Sequence, residues 1–340
     1  MASLTRQVYR LEAGNLDNLR LETDTLPAPA PHEVTVAVRT IGLNFADVFA
    51  IWGLYSATPK GVFTPGLEYA GEIIAVGSAV TERRVGERVM GVTRFGGYAT
   101  YLNTDYRYVL PVPEGWTDQQ GAAYLVQGLT AYYGLIHLGN LQRGDTVLVH
   151  SAAGGVGTLA ARIARRYDAY LIGTVGRPDK VDYCRAEGYA EVIVRGADFG
   201  AQLDAALGDR ELRLIMECIG GEVLKAGYDR LGPEGRSVVY GSARYAQPKD
   251  KPNRLKLIWQ FLRRPKIDPQ EMIHLNKGIL GFNLIYLYER AEFIHELLGE
   301  MAGLDLGAPN VGVTFSFAEL PDAVRRFSTG ATTGKVVVNV

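Results

Sequence analysis

The chain has 340 residues, 47% of them hydrophobic and 21% charged, which is enough for two globular domains with sizeable cores. Its 36 lysines and arginines against 37 acids leave a net charge of −1, so no global field draws it to nucleic acid. There is no N-terminal apolar run with a basic flank and no run of 18 apolar residues; with only Cys184 and Cys218 as thiols, a reduced, cytoplasmic protein is expected.

Up to about Leu125, short strand-like runs such as Val34–Arg39 and Gly71–Gly77 stand between glycines and prolines, the punctuation of an all-β region. From about Gln127 strands alternate with helical patterns, as in a parallel sheet of βαβ units. The apolar run Thr146-Val147-Leu148-Val149-His150 feeds a glycine-rich turn, Ser151-Ala152-Ala153-Gly154-Gly155-Val156-Gly157. The turn then opens Thr158–Arg166, whose apolar residues recur at helical spacing. Strand, tight turn and helix form the context in which G-x-G-x-x-G means dinucleotide binding. Ala152 holds the first glycine position, and Gly154 and Gly157 keep the other two. Larger side chains would hold the backbone away from a pyrophosphate that must sit against amides and the helix N-terminus. The backbone of Ala153, Gly154, Gly155 and Val156 is therefore the predicted cradle.

The next buried strand, Ala169–Val175, ends about 20 residues beyond the glycines, where NAD enzymes place an acid on the ribose hydroxyl. No acid stands there, and the chain continues Gly176-Arg177-Pro178-Asp179-Lys180. A carboxylate would repel a 2′-phosphate, whereas Arg177 and Lys180 can pair with it. Arg195, after the predicted strand Glu191–Val194, can approach the same phosphate or stack on the adenine. The predicted cofactor is NADPH.

Further strands are expected at Leu214–Glu217, Ser237–Tyr240 and Ile279–Asn283. Between the last two, residues 249–266 carry Lys249, Lys251, Arg254, Lys256, Arg263, Arg264 and Lys266 against Asp250 alone. Leu255, Leu257, Ile258, Trp259, Phe261 and Leu262 interleave with these charges. Residues 248–276 thus read as a lid over a substrate cleft, or as a basic insert touching anionic membrane or an acidic carrier protein. A helix from Arg290 to Met301 and a strand from Lys335 to Val340 complete the pattern. Residues 1–126 and 287–340 are predicted to form one catalytic domain, with the nucleotide domain, 127–286, inserted between them.

Gly42-Leu43-Asn44-Phe45-Ala46-Asp47, Gly53-Leu54-Tyr55, Pro65–Gly71, Val85–Val89, the glycine turn and Gly334-Lys335-Val336-Val337 occur in this order along nearly the whole chain. In these motifs the sequence resembles the medium-chain dehydrogenase/reductase superfamily, and within it the zinc-free quinone oxidoreductases. The branch of vesicle amine-transport-protein homologues shares Gly42–Asp47 and the long segment before Gly281-Phe282, and the polyketide enoyl reductases are near relatives. The resemblance implies an α/β fold, with a GroES-like β-rich catalytic domain and a Rossmann doubly wound parallel sheet.

The resemblance also concerns metal. Alcohol dehydrogenases of this fold place a zinc-ligand cysteine where Asn44 stands and a histidine where Leu67 stands, beside Glu68. The histidines His32, His137, His150, His274 and His295 show no paired ligand spacing, so no metal is expected. Without a Lewis acid, reduction of a quinone or an α,β-unsaturated carbonyl is favoured over alcohol oxidation.

The residue roles implied by the resemblance follow. Asn44 would meet the ribose or the acceptor carbonyl, and the Tyr55 hydroxyl would donate to the oxygen that gains charge. Thr130 would lie at the nicotinamide, with Gln127 near the pocket. Tyr240, Gly241 and Ser242, with Phe282, Asn283 and Leu284, would offer main-chain contacts to the nicotinamide end, and Lys335 would lie with the cofactor. A homodimer joined at the Ile279–Asn283 edge is implied. Two alternatives stay open: an enoyl-thioester reductase, and a membrane-associated nucleotide-binding protein with vestigial catalysis. No Ser-His-Asp, Cys-His or paired-carboxylate arrangement supports hydrolysis.

Overall fold

The computed structural model describes residues 3–247 and 249–340; Met1, Ala2 and Pro248, where the predicted 248–276 insert begins, lie outside the described residues. Six strands, β1 (Thr146–His150), β2 (Tyr170–Val175), β3 (Glu191–Val194), β4 (Leu212–Glu217), β5 (Leu231–Val239) and β6 (Gly278–Gly281), form one sheet. All its pairings are parallel, in the order β3-β2-β1-β4-β5-β6. Every residue of β1 is buried, because helices cover both faces of such a sheet; its apolar run therefore does not alternate. The strand order reverses beside β1, and ligands of doubly wound sheets bind outside the carboxyl ends at that reversal. The glycine turn leaves β1 there, Gly176 leaves β2, Arg195 leaves β3, and Tyr240-Gly241-Ser242 leaves β5.

The sixth strand ends earlier than expected. Phe282 still bonds Val239 through its amide at 3.1 Å, but Asn283 turns out of the sheet and precedes the short helix Leu284–Leu287. Its side chain is drawn to Tyr55. β6 is the outer strand of the sheet.

Outside this sheet, the strand Glu33–Gly42 pairs antiparallel with Glu68–Val76, with Tyr101–Asp105 and with the C-terminal strand Lys335–Asn339. Val336, Val337 and Val338 are fully buried, and that apolar run fixes the C-terminal strand against Gly42, Ile41 and Thr40. The Leu43 amide donates to the Val336 carbonyl at 3.0 Å. Sheet pairing therefore brings Lys335 to Asn44 from 291 positions away.

Candidate functional site

The glycine turn is built for close approach. Ser151 has φ 55°, the Ala152 amide donates to the Thr174 carbonyl at 3.0 Å, and the Gly154 amide donates to the Ser151 carbonyl at 2.8 Å. The helix Gly155–Arg165 starts after Gly154, which offers no side-chain acceptor. The amides of its first turn are thus left for an outside acceptor, at the positive end of the helix dipole. A Cβ on Gly157 would lie 2.5 Å from the Ala152 carbonyl oxygen, so only glycine lets helix and turn meet. The Ala152 methyl, at the first fingerprint position, is accommodated because Gly173 of β2 faces it; a Cβ on Gly173 would come within 2.8 Å of it. The turn therefore fits a pyrophosphate.

At the end of β2, Gly176 is exposed, and among the described residues no carboxylate side chain bonds its neighbours apart from Asp179. Arg177 is exposed and bonds Asp179 at 3.0 Å. Lys180 turns inward instead: its Nζ donates to the Gly330 and Thr332 carbonyls at 2.9 and 2.6 Å. Arg195 lies half-buried beside Gly176, its Nη1 donating to Thr174 Oγ1 at 2.8 Å.

A buried polar network adjoins the turn. A Cβ on Gly155 would meet Gln127 Cγ at 2.7 Å, and Gln127 Nε2 donates to Asn44 Oδ1 at 2.6 Å. Lys335 Nζ donates to the same oxygen at 2.9 Å and to Glu68 Oε2 at 2.6 Å. Glu68 Oε1 accepts the Val126 amide at 3.0 Å, and Asn44 Nδ2 donates to the Gly42 carbonyl at 3.2 Å. Asn44, Glu68, Gln127 and Lys335 are all buried. Burial lowers the Lys335 pKa, and the adjacent Glu68 carboxylate opposes that shift. A zinc ion does not fit here, because the Lys335 ammonium already stands between Asn44 and Glu68, and two cations cannot share that space. Among the described residues no three His, Cys, Asp or Glu side chains gather into a metal-binding group.

Asp47 anchors this network from behind, its Oδ2 accepting the Asn44 amide at 2.8 Å. Complete burial pushes its carboxyl up to about 7. Folded Asp47 keeps its proton to that pH, whereas the unfolded side chain releases it near its ordinary 3.8. Its stabilising contribution is whole below the lower value, falls by about 1.4 kcal/mol per pH unit between the two, and is gone above the upper. Urea unfolding at about pH 5 and about pH 7.5 is expected to show this decline in the wild type and a flatter profile in Asp47→Asn. Equal slopes would show that Asp47 is ionised in the fold.

The Tyr55 hydroxyl donates to Asn283 Oδ1 at 2.5 Å, across 228 positions of the chain. Burial pushes its pKa far above the ordinary phenol range, so it holds its proton. Thr130 is buried, and its Oγ1 donates to the Val126 carbonyl at 2.7 Å. The Tyr240 amide bonds the Glu217 carbonyl at 2.9 Å, and Gly241 packs against Cys218. Ser242 precedes the short turn Ala243–Tyr245, Phe282 stacks edge-on against Tyr133 at 5.1 Å, and Leu284 is buried. Sequence reasoning quoted Asp47 and Glu68 within motifs but gave neither a role at the site. A further signal was that a carboxylate is rare in a run as apolar as Phe45–Ile51 or Leu67–Gly71.

The basic insert forms two short helices, Arg254–Leu262 and Pro269–Leu275. Leu255, Ile258, Trp259, Phe261 and Leu262 are all exposed, Leu255 at 80%. The start of the insert is tied to distant parts of the chain: the Asp250 carbonyl accepts from Leu16 and Trp52, and its carboxylate pairs with Arg325 at 2.8 Å. No helix of the described residues is long and apolar enough to cross a membrane.

Residues 30–114 match the alcohol dehydrogenase GroES-like domain family, and residues 155–286 match the family described as zinc-binding dehydrogenase. The human synaptic vesicle membrane protein VAT-1 homolog is 30% identical over 331 residues, 96% of this chain and 84% of the human protein. Among solved structures, mycobacterial Rv1454c complexed with NADPH superposes with a TM-score of 0.84 at 25% identity, covering 98% of this chain and all of the other. The CurK enoyl reductase gives a TM-score of 0.82 at 27% identity, covering 98% of this chain and 99% of the other.

Proposed function

The chain belongs to the medium-chain dehydrogenase/reductase superfamily as a quinone oxidoreductase-like member, and from that premise we propose that it is an NADPH-dependent reductase of quinones or α,β-unsaturated carbonyl compounds, acting without a metal. One observation carries the reading: the uncapped helix start at Gly155 lies directly against Gln127, whose amide is bonded to Asn44. The cofactor cradle and the buried site between the lobes are thus continuous. When bound, NADPH supplies the hydride. The first-turn amides hold its pyrophosphate, and Arg195, with Arg177, holds the 2′-phosphate.

Asn44 has little freedom, since its amide oxygen takes two hydrogen bonds and its amide nitrogen a third contact. It serves as a fixed wall that sets where the acceptor carbon stops. Tyr55 holds its proton and donates a hydrogen bond to the acceptor oxygen as that oxygen gains charge, leaving Asn283 to do so. With the Tyr55 proton retained, the proton that completes reduction comes from solvent.

A second reading, an enoyl-thioester reductase, is favoured by the exposed apolar and cationic face of Arg254–Leu262, which suits an acidic carrier protein delivering the thioester. One assay separates the two. NADPH oxidation followed with a quinone, an enone and a carrier-bound enoyl thioester is expected to proceed with the quinone or the enone. Turnover of the thioester alone supports the second reading. Tight NADPH binding with no turnover of any acceptor would overturn both.

A further inference from the structure

We propose that a buried row of side chains, Glu217–His150–Thr174, positions Arg195 and so sets the preference for a 2′-phosphorylated cofactor from inside the sheet. The inference rests on the NADPH reading above and adds residues that do not touch the cofactor.

The row crosses four adjacent strands at their carboxyl ends. His150 closes β1 and is in register with Thr174 of β2; Glu217 closes β4, and Arg195 follows β3. His150, Thr174 and Glu217 are wholly buried. Glu217 Oε1 accepts the Gly220 amide at 2.8 Å and the Ile219 amide, which fixes that carboxylate on the turn after β4. Its Oε2 lies 3.2 Å from His150 Nε2, an ion-pair distance without the alignment of a good hydrogen bond. A carboxylate can only accept, so the facing Nε2 carries the hydrogen. Nδ1 of the same ring lies in hydrogen-bond contact with the Thr174 hydroxyl, at 2.9 Å. That hydroxyl in turn accepts from Arg195 Nη1 at 2.8 Å. Read from Arg195 inward, each group touches the next, and the row ends at a carboxylate.

The reason for such a row lies at its outer end. The place where the adenosine ribose is held in this fold is the end of β2, at Gly176. Three cations stand near it. Arg177 is exposed and turned to Asp179, and Lys180 is committed to two backbone carbonyls. Arg195 alone is both held from behind and adjacent to Gly176, where its Nη2 is the nearest atom to a notional Cβ, at 3.4 Å. A guanidinium tethered by one nitrogen keeps its other donors aimed, and loses less freedom on binding phosphate than a loose side chain would. A lone buried histidine in a sheet would otherwise be poorly placed, since an unpaired polar group there is costly.

The test compares NADPH, NADH and adenosine 2′,5′-bisphosphate in binding titrations of the full chain, with kcat measured at saturating NADPH. Thr174→Val removes the hydroxyl and keeps the shape. It is expected to weaken NADPH and the bisphosphate about tenfold, the size of one hydrogen bond to a charged group. NADH affinity and kcat should stay within about twofold, and Thr174→Ser should restore wild-type values. Arg195→Lys leaves the buried residues intact and keeps the charge, so it gives a reading even where Thr174→Val does not fold; the same tenfold loss is expected. In the double variant Thr174→Val with Arg195→Lys the losses should not add, because both act through one guanidinium. Additive losses, equal weakening of NADPH and NADH, or full NADPH affinity in either single variant would overturn the proposal. A wild-type protein with no preference for NADPH over NADH would instead overturn the cofactor reading itself.

Discussion

Lys335→Met is expected to destabilise the protein by about 3–5 kcal/mol, the usual penalty for leaving one member of a buried ion pair without its partner. Lys335 is 4% exposed, and among the described residues its ammonium is the only cation bonded to Glu68, which is itself fully buried. Methionine fills a similar volume and offers no charge, so Glu68 Oε2 would lose its cation and Asn44 Oδ1 one of its two donors, Gln127 remaining as the other. Glu68→Gln alone should be costly too, since it strands the ammonium. The double variant, Lys335→Met with Glu68→Gln, should recover much of the loss, because no uncompensated charge is left inside. Urea unfolding of the four proteins at neutral pH checks the cycle. A loss below about 1 kcal/mol in Lys335→Met, within the range of exposed pairs, would mean that the ammonium is not charge-paired in the fold.

That network also marks where sequence reading stopped. The parallel sheet and the glycine turn were legible because their causes are local: apolar runs of strand length, small residues at a turn, helical spacing beyond it. Asn44 and Lys335 were each named from a motif, but nothing in either motif says that they touch. Their meeting depends on the C-terminal strand lying against Glu33–Gly42, a pairing set by two distant apolar runs. The Tyr55–Asn283 bond, across 228 positions, was hidden in the same way. Lys180 shows another limit. Its position in the chain suits a 2′-phosphate, yet its long stem reaches the Gly330 and Thr332 carbonyls, and sequence does not show which way a flexible side chain turns. The row behind Arg195 was unread for a plainer reason. His150 was one of five histidines without ligand spacing, and only strand register aligns it with Thr174 and Glu217.

Gly157→Val is expected to weaken NADPH binding about a hundredfold, a loss of about 2.7 kcal/mol, and to lower stability by about 1–3 kcal/mol. The three fingerprint positions of this chain are not equivalent, and the structure ranks them. At Gly157 a Cβ would stand 2.5 Å from the Ala152 carbonyl oxygen and 2.6 Å from its Cα, both backbone atoms that cannot swing aside. The helix would have to move off the turn, carrying with it the first-turn amides that face the pyrophosphate. At Gly154 the one near atom is the Ser151 carbonyl oxygen, at 3.2 Å, so Gly154→Ala should cost far less in stability. At the first position alanine is already present, and its methyl is tolerated because Gly173 faces it from the neighbouring strand. Gly173→Ala should therefore clash with both Ala152 and the Tyr189 ring, each at 2.8 Å, and Ala152→Gly should relieve only the first of these. Equilibrium titration with NADPH and thermal unfolding of Gly157→Val and Gly154→Ala decide the ranking. If both variants bind NADPH as the wild type does, the pyrophosphate is not held on this turn, and the cofactor lies elsewhere in the cleft.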